Sequence, residues 1–394
     1  MTQDSSEPPF GTVPPGFRLP ALAHVGGVQL QVSDVRRSIE YYELLLGLTA
    51  ETRPDGTVAL TAGNQETPLV TLQTKPGVTR ARRDAFGLYH FAILLPDRAA
   101  LGRFAAHLAR VRVEVGMADH LVSEALYLWD PDGLGIEVYA DRPRETWQHR
   151  GRELVMTTDP LDVDSLIDAG GGKDWTGMPA GTTMGHIHLH VGSLDGAEAF
   201  YHRGLGLDKT VWSYPGALFM SAGGYHHHLG TNVWAQGPAP SPEHAQLLEW
   251  ELIVPSSHDL AAAADSLQAA GHAAERGHDS VLTADPWEHE SGSAPTPAGS
   301  GGDAGNCAQA QLPSGLERVH LPELRLGPGQ PALHEFVQDH RLRLVGFQEH
   351  RRMDVDPDQH QARVVRRAVA RITLVRKPHL PVGRVQLVNL CPIA

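Results

Sequence analysis

Cysteine is almost missing from this chain. Only Cys307 and Cys391 occur in 394 residues, both beyond position 300. No disulfide framework can form, and the cytoplasm is the expected compartment. Long apolar runs are missing too. None approaches the ~20 residues a membrane-spanning helix needs, so no membrane partner is expected. The opening stretch MTQDSSEPPFGTVPPGF has no basic segment followed by an apolar one, which argues against a secretory signal. Positive charge is in short supply, with 33 Lys and Arg against 46 Asp and Glu. The net charge of −13 argues against a nucleic-acid partner and reads as a solvated acidic surface. Hydrophobic residues at 41% and charged residues at 20% exclude wholesale disorder. What is abundant is histidine, 23 residues against 9 Phe and 7 Trp, and that raises metal and acid–base chemistry.

The charge divides the chain. From Gln311 onward there are 13 Lys and Arg and 8 Asp and Glu, so the tail is basic and the preceding 310 residues are strongly acidic. The join, SGSAPTPAGSGGDAGN at 291–306, is a Gly/Ser/Pro/Ala linker without packing side chains.

The acidic body repeats itself. LQVSDVRRSIEYYELLLGL (30–48) and LHVGSLDGAEAFYHRGLGL (189–207) share a strand, a helix start, an aromatic pair and a Leu-Gly-Leu stop. Val32 and Val191 are 159 apart, as are Leu95 and Val254 in HFAILLP and EWELIVP, each of which leads into a helix. Within each half the two opening strands are 63 apart. The periodicity predicts an α+β fold of four βαβββ modules, a duplicated pair. The turn before the last strand of module two is explicit in DPDGLG (130–135).

This organisation resembles the vicinal oxygen chelate superfamily of glyoxalase, bleomycin-resistance and extradiol dioxygenase proteins. GLYHFAILLPDR, ADHLVSEALYLWDPDGLGIEVYADRPR, MGHIHLHV and SAGGYHHHLGTNVWA are similar to bacterial catechol 2,3-dioxygenases of the one-chain, four-module kind. The resemblance covers residues 20–290 and implies mixed sheets curled around a metal cup. The expected organisation is a disordered stretch at 1–20 and a first two-module domain at 21–156. A connection follows at 157–183, then a second domain at 184–290 with an incomplete last module, the linker to 310 and an unassigned tail at 311–394.

Within this grid, the residues that open strand one of each module are Gly27, His90, His186 and Glu249. The last-strand positions are Gln73, Glu137 and Asn232, with no clear counterpart in module four. Candidate ligands therefore gather in modules two and three as His90, His186 and Glu137. Two imidazoles and a carboxylate make a facial set suited to Fe(II), with Mn(II) the alternative, and leave positions open for a bidentate ligand and O2. The span from His120 through Tyr127 to Glu137 is similar to the extradiol ring-cleavage signature, with Ala118 the departure from it. His120 and Tyr127 are expected to face the cup.

A third signal is Tyr225-His226-His227-His228. The resemblance implies an acid–base histidine from this strand. Strand alternation from Asn232 favours His228, then His226, and places His227 on the other face. His188 and His190 share the face of His186 as pocket or supporting groups. Tyr139 shares the face of Glu137, and His24 reads as structural.

The function so implied is extradiol ring cleavage of a catechol with O2 to a 2-hydroxymuconic semialdehyde, with His228 as acid–base and His120 and Tyr127 orienting the substrate. Two alternatives stay open: a glyoxalase-like metal-dependent isomerase or lyase, and a metal-free small-molecule binding protein. Association into a homo-oligomer is left open. Module four breaks off at DPWEHE, where the resembling proteins continue with a closing strand. The tail is either an added domain or the product of a shifted reading frame.

Overall fold

The computed structural model describes residues 10–288 except Gln236 and Pro240, and the backbone of three later segments, Arg318–Val319, Val369–Val375 and Arg384–Leu390. Residues 1–9, the linker at 291–310 and the rest of the tail lie outside the described residues.

Module one comprises β1 (His24–Val32), α1 (Val35–Tyr41), β2 (Thr49–Thr52), β3 (Val58–Thr61) and β4 (Val70–Thr74). Module two has β5 (Gly87–Leu94), α2 (Arg98–Val111), β6 (Val115–Asp119), β7 (Ser123–Trp129) and β8 (Gly135–Asp141). The connection carries β9 (His149–Arg150), β10 (Glu153–Leu154) and α3 (Val163–Ala169). Module three has β11 (Thr183–His190), α4 (Leu194–Ala197), β12 (Asp208–Val211), β13 (Ala217–Ser221) and β14 (Leu229–Asn232). Module four has β15 (Gln246–Val254), α5 (Ser257–Ala269), β16 (Ala274–Arg276) and β17 (Ser280–Thr283). The later segments form β18 (Arg318–Val319), β19 (Val369–Val375) and β20 (Arg384–Leu390).

The repeat is visible in local chemistry. The helices start at Asp34, Asp97, Ser193 and Ser256, whose side chains accept from backbone N–H groups of the first turn. These caps satisfy donors that a helix start leaves orphaned, worth about 1 kcal/mol each. In modules one and three the helix runs into a wide π-type turn, Tyr42–Leu46 and Glu198–Gly204. The Leu-Gly-Leu stops follow, with Gly47 at φ +74° and Gly206 at φ +94°, a region where a Cβ is costly. The aromatic pairs Tyr41–Tyr42 and Phe200–Tyr201 stand edge to face, both at 84°.

The sheets pair modules across the halves. One sheet runs β12-β13-β14-β11-β5-β8-β7-β6-β18 and joins modules two and three through the antiparallel seam β5–β11. The other runs β16-β17-β19-β15-β1-β4-β3-β2 and joins modules one and four through β1–β15. In modules one to three the first strand lies parallel to the last. In module four that place is taken by β19, with its direction reversed: antiparallel to β15 and parallel to β17.

Alternation along the central strands separates core from cup. Leu30 and Val32 of β1, Phe91 and Ile93 of β5, Ile187 of β11, and Trp250 and Leu252 of β15 all belong to one continuous apolar core. The intervening residues His90, Ala92, His186 and His188 face the other way.

The start of the chain corrects one expectation. Residues 10–20 are not disordered. Arg18 pairs with Asp208 at 2.7 Å, Leu19 N–H donates to Gly206 O, and Phe10 is buried against Trp147. Apolar Phe10 and Leu19 supply the anchoring that a Pro-rich reading of this stretch overlooks. The DPDG turn is also structural. Asp132 accepts from Ser33 N–H and Oγ and from Arg37, which ties module two to module one.

Candidate metal centre

Three neighbouring strands deliver the centre. Ala92 of β5 sits in register with Glu137 of β8 on one side and His186 of β11 on the other. Its methyl group leaves room for both longer side chains to converge above it, and His90 stands two residues back on the same face. A Cβ at Gly135 would clash with Tyr89 O, so a glycine there lets β8 approach β5 closely.

His90 Nε2 lies 3.0 Å and His186 Nε2 3.1 Å from the same oxygen, Glu137 Oε2. All three residues are buried. His186 Nδ1 has no hydrogen-bond partner, and His90 Nε2 meets the carboxylate without hydrogen-bond geometry. Cis ligands about 2.1 Å from an octahedral ion stand roughly 3 Å apart, so this spacing fits a facial metal site. Burial pushes the Glu137 carboxyl up, but the His186 and His90 imidazoles outweigh it and hold the group well below the usual range. Burial also lowers both imidazoles. A carboxylate and neutral imidazoles are the forms a cation requires.

Above the triad lies a cavity of about 60 Å³. His120, Tyr127, His188 and His227 line its polar side. His120 donates Nδ1–H to Thr157 O at 2.5 Å, so its Nε2 accepts from Tyr127 Oη–H at 2.7 Å. Burial and then Glu137 push the Tyr127 hydroxyl well above its ordinary pKa.

The histidine run sits differently from its expected register. His228 does not line the cavity; its Nδ1 accepts from Ala222 N–H, and burial lowers it to about 3. His227 lines the cavity, with its ring 4.1 Å from that of His186. The reason is local. Strand β14 begins only at Leu229, and the three histidines follow the left-handed pair Gly223–Gly224 in a bend where strand alternation does not apply. His226 Nε2 lies 3.0 Å from Asp141 Oδ1 and His226 Nδ1 lies 2.7 Å from His227 Nδ1. The carboxylate only accepts, so His226 Nε2–H donates to it; with a neutral His226 ring, Nδ1 accepts from His227 Nδ1–H and His227 Nε2 carries no proton. Burial and the neighbouring His186 hold His227 well below the usual imidazole range.

Asn232 is not part of the triad. Its Oδ1 accepts from Trp234 N–H and from His190 Nδ1–H, so its Nδ2 donates to His188 Nε2 at 3.0 Å. Gly230 makes space for this clamp, since a Cβ there would lie 2.9 Å from the His188 ring. Tyr139 stands behind the site, its hydroxyl 2.7 Å from that of Tyr225. His24 is exposed and bonds its own turn at Leu22 O. The outer wall, Tyr89, Met156, Thr157, Thr158, Tyr214, Phe219 and Trp234, carries no sequence signal that singles it out.

Comparison with known proteins agrees with this organisation. The family described as the Glyoxalase/Bleomycin resistance protein/Dioxygenase superfamily matches residues 21–138 and 183–288. A Bacillus subtilis (strain 168) protein named catechol-2,3-dioxygenase is 43% identical over 269 residues, 67% of this chain and 94% of that one. Among solved structures, the 2,3-dioxygenase LapB from Pseudomonas sp. KL28 has 16% identity and a TM-score of 0.27, with 67% of this chain and 88% of that chain covered. A glyoxalase/dioxygenase from Nostoc punctiforme has 22% identity and a TM-score of 0.25, with 30% and 91% covered. The sequence matches carry the assignment: this chain belongs to the Glyoxalase/Bleomycin resistance protein/Dioxygenase superfamily.

Proposed function

We propose that the protein is an extradiol dioxygenase that opens catechol, or a substituted catechol, with O2 to a 2-hydroxymuconic semialdehyde. The carrying observation is the convergence of His90 Nε2 and His186 Nε2 on Glu137 Oε2, at 3.0 and 3.1 Å, beneath a cavity lined by His120, Tyr127 and His227. The relative named catechol-2,3-dioxygenase supports the same reading.

His90, His186 and Glu137 would hold a ferrous ion, with Mn(II) the alternative. Bound there, the ion would supply Lewis acidity toward the two diol oxygens and redox chemistry toward O2. The chain does the rest. His227 Nε2, unprotonated and backed by His226 and Asp141, takes a proton from a diol hydroxyl and returns it later in the reaction. Tyr127, whose proton is retained at neutral pH and directed by His120, fixes the orientation of a substrate oxygen. The aromatic outer wall excludes water from the reacting ring.

The test is anaerobic addition of catechol to protein loaded with Fe(II), followed by oxygen. The expected result is oxygen uptake with a yellow ring-cleavage product. Neither signal with any of several catechols would overturn the proposal.

A further inference from the structure

A second cavity lies at the end of the β5–β11 seam, where Gly87 and Leu88 pair with His190 and Leu189. Its other walls come from the stretch before β5, from β15 and the stretch before it, and from Asp285 and Trp287 beyond β17. Among the described residues it shares no lining with the cavity over the triad. At about 80 Å³ it is the larger of the two, well above the ~10–15 Å³ that one water requires. The wall is held in place by the backbone. Gln31 Nε2 donates to Pro242 O at 3.0 Å and to His244 O at 2.7 Å, and Ala245 N–H donates to Thr79 O at 2.7 Å.

Most of the lining is carbon, with Phe86, Leu88, Leu134, Leu189, Trp250 and Trp287 supplying the apolar surface. The charged groups are committed. Arg82, the one cation among the described lining residues, pairs with Asp84 at 2.7 Å, and Asp285 accepts from the Tyr201 hydroxyl at 3.0 Å. Burial and then Glu251 push the Glu249 carboxyl up to about 8, so it is largely protonated at neutral pH. Two polar groups are left over. Gln246 is buried, at 5% exposed, and its Oε1 has no hydrogen-bond partner. His244 Nδ1 is closed to solvent and unpartnered too. Buried polar atoms left this way are costly. A hydroxyl both donates and accepts, so it answers the amide oxygen and the imidazole nitrogen in either tautomer.

We propose that this cavity is a second small-molecule site, independent of the triad, that takes an uncharged aromatic ring bearing a hydroxyl, a phenol by chemical class. The ring packs among the Phe86, Trp250 and Trp287 faces, and the hydroxyl donates to Gln246 Oε1. A carboxylate is rejected, because Asp285 carries the same sign and Arg82 is already paired.

The experiment is a titration of the full chain with 4-fluorophenol, 4-fluorotoluene and 4-fluorobenzoate, followed by fluorine NMR. The parent is expected to bind the phenol at least 100-fold more tightly than the benzoate. Glu137→Gln should leave phenol affinity within threefold of the parent. Gln246→Leu should weaken the phenol at least tenfold and leave the toluene within threefold, and Ala85→Phe should abolish binding of both by filling the space. Gln246→Leu nearly preserves shape, so the test stands whether or not Ala85→Phe folds. No phenol binding by the parent would overturn the proposal. Loss of phenol binding in Glu137→Gln would place the ligand over the triad and overturn it as well. So would equal effects of Gln246→Leu on phenol and toluene.

Discussion

The two sheets are copies of one architecture with different chemistry at matching places. Where modules two and three bring His90, Glu137 and His186 together, modules one and four place Gly27, Gln73 and Glu249. Gln73 of the second cup is an amide that accepts from Gln29 Nε2 at 2.8 Å. Gly27 cannot be replaced by an imidazole without rearrangement, since a Cβ there would lie 2.9 Å from Pro68 O and its N–H donates to Glu251. Burial and the neighbouring Glu251 push the Glu249 carboxyl up to about 8. The second cup also borders a larger cavity, of about 80 Å³, that holds none of the triad. The fold provides the cup, and a few side chains decide whether it can hold a cation.

Making the first cup like the second should have the largest effect. Glu137→Gln, which copies Gln73, is expected to abolish stoichiometric iron and lower ring cleavage at least 1,000-fold, read by metal analysis and oxygen uptake. Iron retained at wild-type stoichiometry would refute the ligand assignment.

The histidine run comes next. His227→Ala is expected to lower kcat by a factor of 100 or more with the iron retained. His228→Ala should change kcat less than tenfold and act on stability, by about 1–3 kcal/mol for the lost buried hydrogen bond to Ala222. Equal effects on kcat would show that the bend does not sort the two residues.

For the second cup, the sign of the pH dependence is definite. Glu249 has its folded pKa raised to about 8, against about 4.3 in an unfolded chain. The folded state therefore binds the extra proton, and the stability this contributes is full below about pH 4.3 and lost as pH rises through 8. Glu249→Gln should flatten that slope and stabilise the protein at pH 8 by up to about 3 kcal/mol, with no gain near pH 4.5. Urea unfolding at both pH values checks it, and a gain of equal size at both would rule out titration of Glu249 as the cause.

The smallest effect is expected at Asn232→Ala, which frees His188 and His190 without touching the triad. KM should rise about threefold to tenfold, with bound iron unchanged, as judged by steady-state kinetics and metal analysis. Loss of iron would instead make Asn232 part of the ligand shell.

Much of this was readable along the chain because its signals are local. Two Leu-Gly-Leu stops and the 159-residue offset place the modules. A strand has a period of two, so His186 and His188 share one face, as do Glu137 and Tyr139, by counting alone. Counting fails at His226–His228, where a Gly-Gly turn breaks the period, and at residues 10–20, where anchoring depends on Asp208 and Gly206, far along the chain.

By itself, then, the sequence determined the repeat, the secondary structure of each module and the residues able to bind a cation, since these follow from spacing and side-chain chemistry. Only the tertiary structure decided that module one pairs with four and two with three, and that His227 rather than His228 lines the cavity. Each of those depends on which distant strands meet, and a strand edge offers the same N–H and C=O groups to any partner, so local sequence leaves the choice to packing.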